Sequence, residues 1–265
     1  MSKRVFVVPH DFTFTADNAL DHAIQLSKQI NAQIALVHIV AKENEIEPSK
    51  SKLDSIVKSF PDSDIFSHVI HGSIFTDIGS YAEEKNAVAI IMGTHGSKGM
   101  QKVFGSFAMK VIISTTVPFM IVQDNSEIKN IKNIVFSINT SIESLQIVSL
   151  AGNIAKMFDS TIHIIGQKES ELHRVKKIKS NLVGLAKQLA KMNVKCKLDL
   201  LDEDKDYVAS MNEYAKSVDA DLLAYSYDSD KLFASNDKFA QSVIFNDLNL
   251  PSIIINSQTA VKTTY

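Results

Sequence analysis

Cysteine is all but missing from this 265-residue chain; Cys196 stands alone, which excludes an intrachain disulfide framework and a Cys-rich zinc site. Tryptophan is absent, and proline occurs only five times. No apolar run approaches the ~18 residues of a membrane-spanning helix. The opening MSKRVFVVPHDF turns polar too soon for a secretory signal, so a cytoplasmic protein with no membrane partner is expected. Neither sign of charge dominates: 28 Lys and Arg against 30 Asp and Glu leave a net −2, which gives no reason to expect nucleic acid. Glycine is thin too, with nine residues, yet four of them (Gly93, Gly96, Gly99, Gly105) crowd into thirteen positions.

What is present is an ordinary globular composition, 45% apolar and 22% charged, in a length that suits one large domain or two of about 130 residues. Short Val- and Ile-rich runs alternate with helical spacing. The first half offers strands at Val5–Pro9, Gln33–Val40, Ile65–Ile70, Val88–Met92 and Phe119–Gln123, with a helical stripe from Ala16 to Ile30. Strands separated by helices imply right-handed crossovers and a parallel sheet covered on both faces. The second half repeats the plan: IKNIVFSIN echoes SKRVFVVPH and FDSTIHII echoes INAQIALV, the latter at an offset of 128. DADLLAYSYD echoes AVAIIMGTHG, and KFAQSVIFNDLNLPSIIIN echoes SFAMKVIISTTVPFMIVQ, at 132 to 133. Two tandem α/β domains follow, 1–125 and 130–258, joined near the polar DNSEIKN. Their second helices differ. Val175, Ile178, Leu182, Leu185, Leu189 and Met192 form a long apolar stripe, whereas residues 41–64 offer only a weak helix around Leu53–Phe60.

The glycine cluster lies in MGTHGSKGMQKVFGSFAMKVI, residues 92–112, between the fourth strand and a helix expected from about Ser106. Open parallel sheets bind ligands beyond the carboxyl ends of their strands, and a helix N-terminus presents unpaired N–H groups and a positive dipole end. Glycines let successive amides turn toward one point, and the Ser106 hydroxyl can cap the helix or donate to a phosphate oxygen. The loop reads as a phosphate cradle, although its spacing is neither GxxxxGK[ST] nor GxGxxG. Asp11 closes the first strand at the same edge, where its carboxylate can accept from ribose hydroxyls or serve as an acid at the next helix N-terminus. His95 can touch phosphate or stabilise its own turn; His38 reads as a hydrogen-bonded core residue; Lys98 and Lys102 read as solvated.

The strand-GTHG-(eight residues)-GS-helix arrangement, the Pro before the final strand, VVPHDF and LVHIV together resemble the universal stress protein family. The likeness spans the first half and extends, weaker, over the second. It implies two tandem open five-stranded parallel sandwiches, Rossmann-like and similar to adenine nucleotide alpha hydrolases, with the fifth strands paired between domains as an intramolecular pseudo-dimer; a homodimer stays open. It implies ATP or another adenine nucleotide as the partner, with or without Mg2+. Carried over, Gly93, Gly96, Gly105, Ser106 and the amide of Phe107 hold the phosphates, Pro9 and Asp11 sit by the ribose, the backbone of Ile39 meets the adenine edge, and Met92 lines the base pocket. Eight residues separate Gly96 from Gly105, one fewer than the family pattern, so the number of phosphates stays open.

An offset of 132 sets Gly93, Gly96, Gly105 and Ser106 against Tyr225, Asp228, Asp237 and Lys238, and YSYDSDKLFASNDK contains no glycine. The second domain is expected to be empty of nucleotide and to serve packing. Three functions compete: a stress-response regulator binding adenine nucleotide, a non-nucleotide interaction module of the same family, and an enzyme such as a slow ATP hydrolase. No nucleophile–base pattern, HExxH or CxxC occurs, and HGSKG is not GxSxG, so a non-enzyme is expected and catalytic and metal residues are none.

Overall fold

The computed structural model describes residues 3–94, 111–112, 114–138, 148–167, 170–201, 206–227 and 234–256. The chain divides into two compact units, Met1–Ile128 and Lys129–Tyr265.

In the first unit β1 (Arg4–Pro9), α1 (Phe14–Ile30), β2 (Ala32–Val40), α2 (Ile46–Lys58), β3 (Ile65–His71), α3 (Asp77–Glu84), β4 (Ala89–Thr94) and β5 (Phe119–Gln123) follow one another. The strands lie in the order β3-β2-β1-β4-β5, all parallel. Parallel strands covered by helices on both faces read as continuous apolar runs. Accordingly Val5 to Val8 of β1 and all five residues of β5 are buried. The second unit holds β6 (Asn133–Ile138), α4 (Val148–Phe158), β7 (Thr161–Gln167), α5 (Leu172–Lys191), β8 (Cys196–Leu201), α6 (Tyr207–Ser217), β9 (Leu222–Tyr227), α7 (Ala234–Ile244) and β10 (Ser252–Asn256). Its order is β8-β7-β6-β9-β10, again parallel, so the expected α/β plan is present twice.

The scarcity of glycine has a structural counterpart. Among the described residues, positive φ falls on Asn31, Asn86, Asp159, Asn193, Asp219 and Asn249, and otherwise only on Phe12. Asn and Asp tolerate the left-handed conformation that ends a helix, a place usually given to glycine. At the end of α1, for example, Asn31 at φ 51° donates its N–H to the Ser27 carbonyl.

Three sequence expectations are corrected. The helix sought at Leu53–Phe60 runs from Ile46 to Lys58. Its first turn contains Pro48, where a missing N–H is harmless, and its mostly polar sequence buries only Ser49 and Leu53. Strand β4 continues to Thr94, pairing Gly93 with Val122, so Gly93 is a strand residue. The repeat offset at β4 is 133, because Val122 pairs with Gly93 as Ile255 pairs with Ser226. The counterpart of Gly93 is therefore Ser226, and that of Met92 is Tyr225.

Candidate functional site

In the first unit the strand order reverses at β1: the chain moves outward through β2 and β3, then returns to β4 on the other side. Such a switch point leaves a crevice at the carboxyl ends of the strands. A cavity of about 700 Å³ occupies it, within the range of small-molecule sites. Pro9, Asp11, Ile39, Met92 and Gly93 all line it. His95, Gly96, Gly105, Ser106 and Phe107 lie outside the described residues.

The first turn of α1 closes one side through Thr13, Thr15 and Ala16. Thr13, in extended conformation, caps the helix by accepting from the Ala16 N–H at 3.4 Å. Asp11 holds this entry: its Oδ1 accepts from the Thr13 N–H at 3.2 Å and from the Thr13 hydroxyl at 2.5 Å. Asp11 thus does the work of a helix-entry acid while remaining exposed at the cavity wall. Gly93 is glycine for a local reason, since a Cβ there would lie 2.0 Å from the Thr15 carbonyl oxygen. Only a bare backbone lets α1 approach β4 so closely and narrow the crevice to one end.

His38 departs from expectation: it is half-buried and lines the cavity, while its Nδ1 donates to the His10 carbonyl at 2.6 Å. His10, which the sequence reading passed over, is 3% exposed and joins the same wall. Burial holds its ring below the ordinary value, outweighing the Asp17 carboxylate 3.1 Å away. The loop after β3 was also missed, although Gly72 at a strand end was a signal. Asp77 Oδ2 accepts from the Ser73 N–H at 2.6 Å and sits where a Cβ on Gly72 would fall, so the loop wraps a carboxylate. That turn brings Ile74 and Phe75 to the cavity. The result is a mainly apolar chamber with hydroxyls, two imidazoles, a carboxylate and a helix N-terminus at its rim.

The matching place in the second unit is furnished differently. Tyr225 stands where Met92 does, and Ser137 stands where Pro9 does, because Ser137 pairs with Ile165 as Pro9 pairs with Val37. The Tyr225 ring meets Phe239 edge-on at 4.8 Å, and Phe239 stacks on Tyr207 at 5.8 Å. Tyr207 shares a hydrogen bond of 2.8 Å with the Ser137 hydroxyl, and burial pushes its own hydroxyl up to about 12. Three aromatic rings and a hydroxyl pair thus pack together around the second unit's counterparts of Pro9 and Met92.

Cys196 is half-buried on β8, and burial raises its thiol, which favours the less nucleophilic protonated form. Among the described residues no cluster of three or more His, Cys, Asp or Glu suits a metal ion, and no helix is long and apolar enough to cross a membrane.

A model of the universal stress protein family matches residues 3–123. A universal stress protein of Methanocaldococcus jannaschii is 25% identical over 136 residues, covering 44% of this chain and 80% of its own. The structure of a universal stress protein from Archaeoglobus fulgidus aligns over 97% of this chain and all of its own, with a TM-score of 0.74 at 15% identity, and so shares the fold. Another from the same archaeon, in complex with dAMP, aligns over 48% of this chain and 99% of its own, at 18% identity and a TM-score of 0.39. Residues 3–123 are thus similar to the universal stress protein family, and the chain shares the fold of the first Archaeoglobus fulgidus protein.

Proposed function

We propose that this chain is a stress-response regulatory protein of the cytoplasm that binds an adenine nucleotide (ATP, ADP or AMP, with or without Mg2+) in its first domain, residues 1–125. One observation carries the reading: the switch-point crevice of the first unit is a cavity of about 700 Å³ beside Asp11 and a helix N-terminus, at the end of the glycine-bearing strand. The apolar wall of Ile39, Met92, Ile74 and Phe75 suits a flat base, and the hydroxyl-rich entry of α1 suits sugar and phosphate. The match of residues 3–123 to the universal stress protein family supports the same reading. The second domain, residues 130–258, holds no nucleotide and serves packing; there Tyr207, Tyr225 and Phe239 pack on one another.

A nucleotide at a hundred times its dissociation constant stabilises the fold by about 2.7 kcal/mol, readable as a rise in melting temperature. Gly105→Asp is expected to remove that rise by setting a carboxylate beside the phosphates. No rise with millimolar ATP, ADP or AMP, with or without Mg2+, refutes the reading.

A second reading, an interaction module that holds no nucleotide, draws on the loop one residue shorter than the family pattern. Mass spectrometry of small molecules released from freshly purified protein separates the two. The role is regulatory rather than catalytic; fast phosphate release from ATP would overturn that part.

A further inference from the structure

Phe12 is the one described residue of positive φ that is neither Asn nor Asp, at 65°. A bulky side chain in the left-handed region is strained, and such strain persists only where the surroundings enforce it. The strained residue sits between Asp11 and the cap Thr13, so its turn sets where the Asp11 carboxylate points.

The surroundings that enforce it centre on His10. The Phe12 N–H donates to His10 Nδ1 at 3.2 Å. The His10 backbone is pinned on both sides: its N–H donates to the Val37 carbonyl at 2.8 Å, and its own carbonyl accepts from His38 Nδ1 at 2.6 Å. The Phe12 ring then packs against both imidazoles, with centroids 5.7 Å from His10 and 4.5 Å from His38. A ring that accepts a backbone N–H at Nδ1 carries its proton on Nε2, and Nε2 lies 3.1 Å from Asp17 Oδ1. The two bonds select a single neutral tautomer of a nearly fully buried ring.

We propose that His10 is a positioning residue: its neutral ring clamps the Phe12 turn that aims Asp11 into the cavity, and a proton gained at Nδ1 releases the clamp, so ligand binding at this site weakens in acid. This rests on reading the cavity as a nucleotide site. The charged and titratable groups facing the ring are Asp17 from α1, Asp11 from the turn and His38 from β2, with the Lys52 ammonium of α2 at 5.4 Å over the Phe12 ring. Asp17 and Asp11 favour the protonated ring, whereas burial, the largest influence, and His38 oppose it. The clamp therefore holds at neutral pH and opens only on acidification.

The test uses the full chain as wild type and as His10→Asn, whose Oδ1 accepts near the position of Nδ1 and does not titrate. Hydrogen exchange read by NMR gives the protection of the Phe12 amide, relative to its intrinsic rate, between about pH 7.5 and pH 5. AMP titrations at the same pH values give affinity. Phe12 protection is expected to fall roughly fivefold or more in the wild type, the worth of one hydrogen bond, and to stay flat in His10→Asn. AMP affinity, which also follows the titration of its own phosphate at about pH 6, falls by that much more in the wild type than in the variant. Wild-type Phe12 protection that ignores pH, or an equal fall in the variant, overturns the clamp. Ring 15N shifts of wild-type His10 test it without any variant: the Nε2–H tautomer at neutral pH supports it, and the Nδ1–H tautomer overturns it. If AMP, ADP and ATP all fail to bind at any pH while Phe12 protection still falls, the nucleotide reading is refuted and the clamp is supported.

Discussion

At the scale of single residues the site is held by close approaches that admit few substitutes. A Cβ on Gly93 would meet the Thr15 carbonyl oxygen at 2.0 Å and the Thr15 methyl at 2.7 Å, and a backbone atom cannot swing aside. Gly93→Ala is therefore expected to cost about 1–3 kcal/mol by forcing α1 away from β4, seen as a lowered denaturant midpoint. An unchanged midpoint would show that α1 has slack at its first turn. Histidines set the acid behaviour. His10, His22 and His163 are all at most 3% exposed, and burial holds each below its ordinary value. The folded chain keeps these rings neutral while the unfolded chain protonates them below about pH 6.5, so the unfolded state binds more protons there. Stability is complete above that value and falls as pH drops through it toward the lower folded values. Melting temperatures are expected to decline between about pH 7 and pH 5, and a flat profile would contradict the burial of these rings.

Among the elements, α1 and α2 show what spacing reveals and what it conceals. Helix α1 was legible because its apolar residues repeat at helical spacing, and its cap Thr13 accepts from the Ala16 N–H in the structure. One face of α1 also secures the end of β5: Thr15 donates to Asp124 at 3.2 Å, and the Asn18 side chain donates to the Gln123 carbonyl at 2.9 Å. No periodicity announces those bonds, because they depend on which strand lies beside the helix. Helix α2 carries no apolar stripe through its first turns, EPSKSK being polar, and a single large apolar residue anchors it. Leu53 is fully buried, and Leu53→Ala is expected to cost about 2–5 kcal/mol in an unfolding titration. A cost near zero would mean that α2 is held by its polar contacts instead, such as the Lys50–Asp54 pair at 2.8 Å. The strands were the most legible elements, since Val- and Ile-rich runs bounded by polar residues leave little choice, and Phe119–Gln123 agrees to the residue. Pro9, Asp11, Ile39 and Met92, which the family likeness singles out at or near the carboxyl ends of β1, β2 and β4, lie on the cavity wall. His10, His38 and the turn from Gly72 to Phe75 were not legible as wall residues. Their roles arise from β3 lying beside β2 and from the left-handed Phe12, and neither is encoded in spacing.

For the molecule as a whole, the repeat sets a comparison inside one chain. The same strand order appears in both units, yet Met92 in one is matched by Tyr225 in the other. The Tyr225 ring at that position packs edge-on against Phe239, which stacks on Tyr207, whereas Met92 lines a cavity. Importing that ring should close the first cavity. The central claim is that one domain holds an adenine nucleotide and the other does not, and calorimetric titration of the full chain with ATP and AMP tests it most directly. The expected result is one nucleotide per chain in the wild type and none in a folded Met92→Tyr variant. Two nucleotides per chain, or undiminished binding in Met92→Tyr, would contradict it.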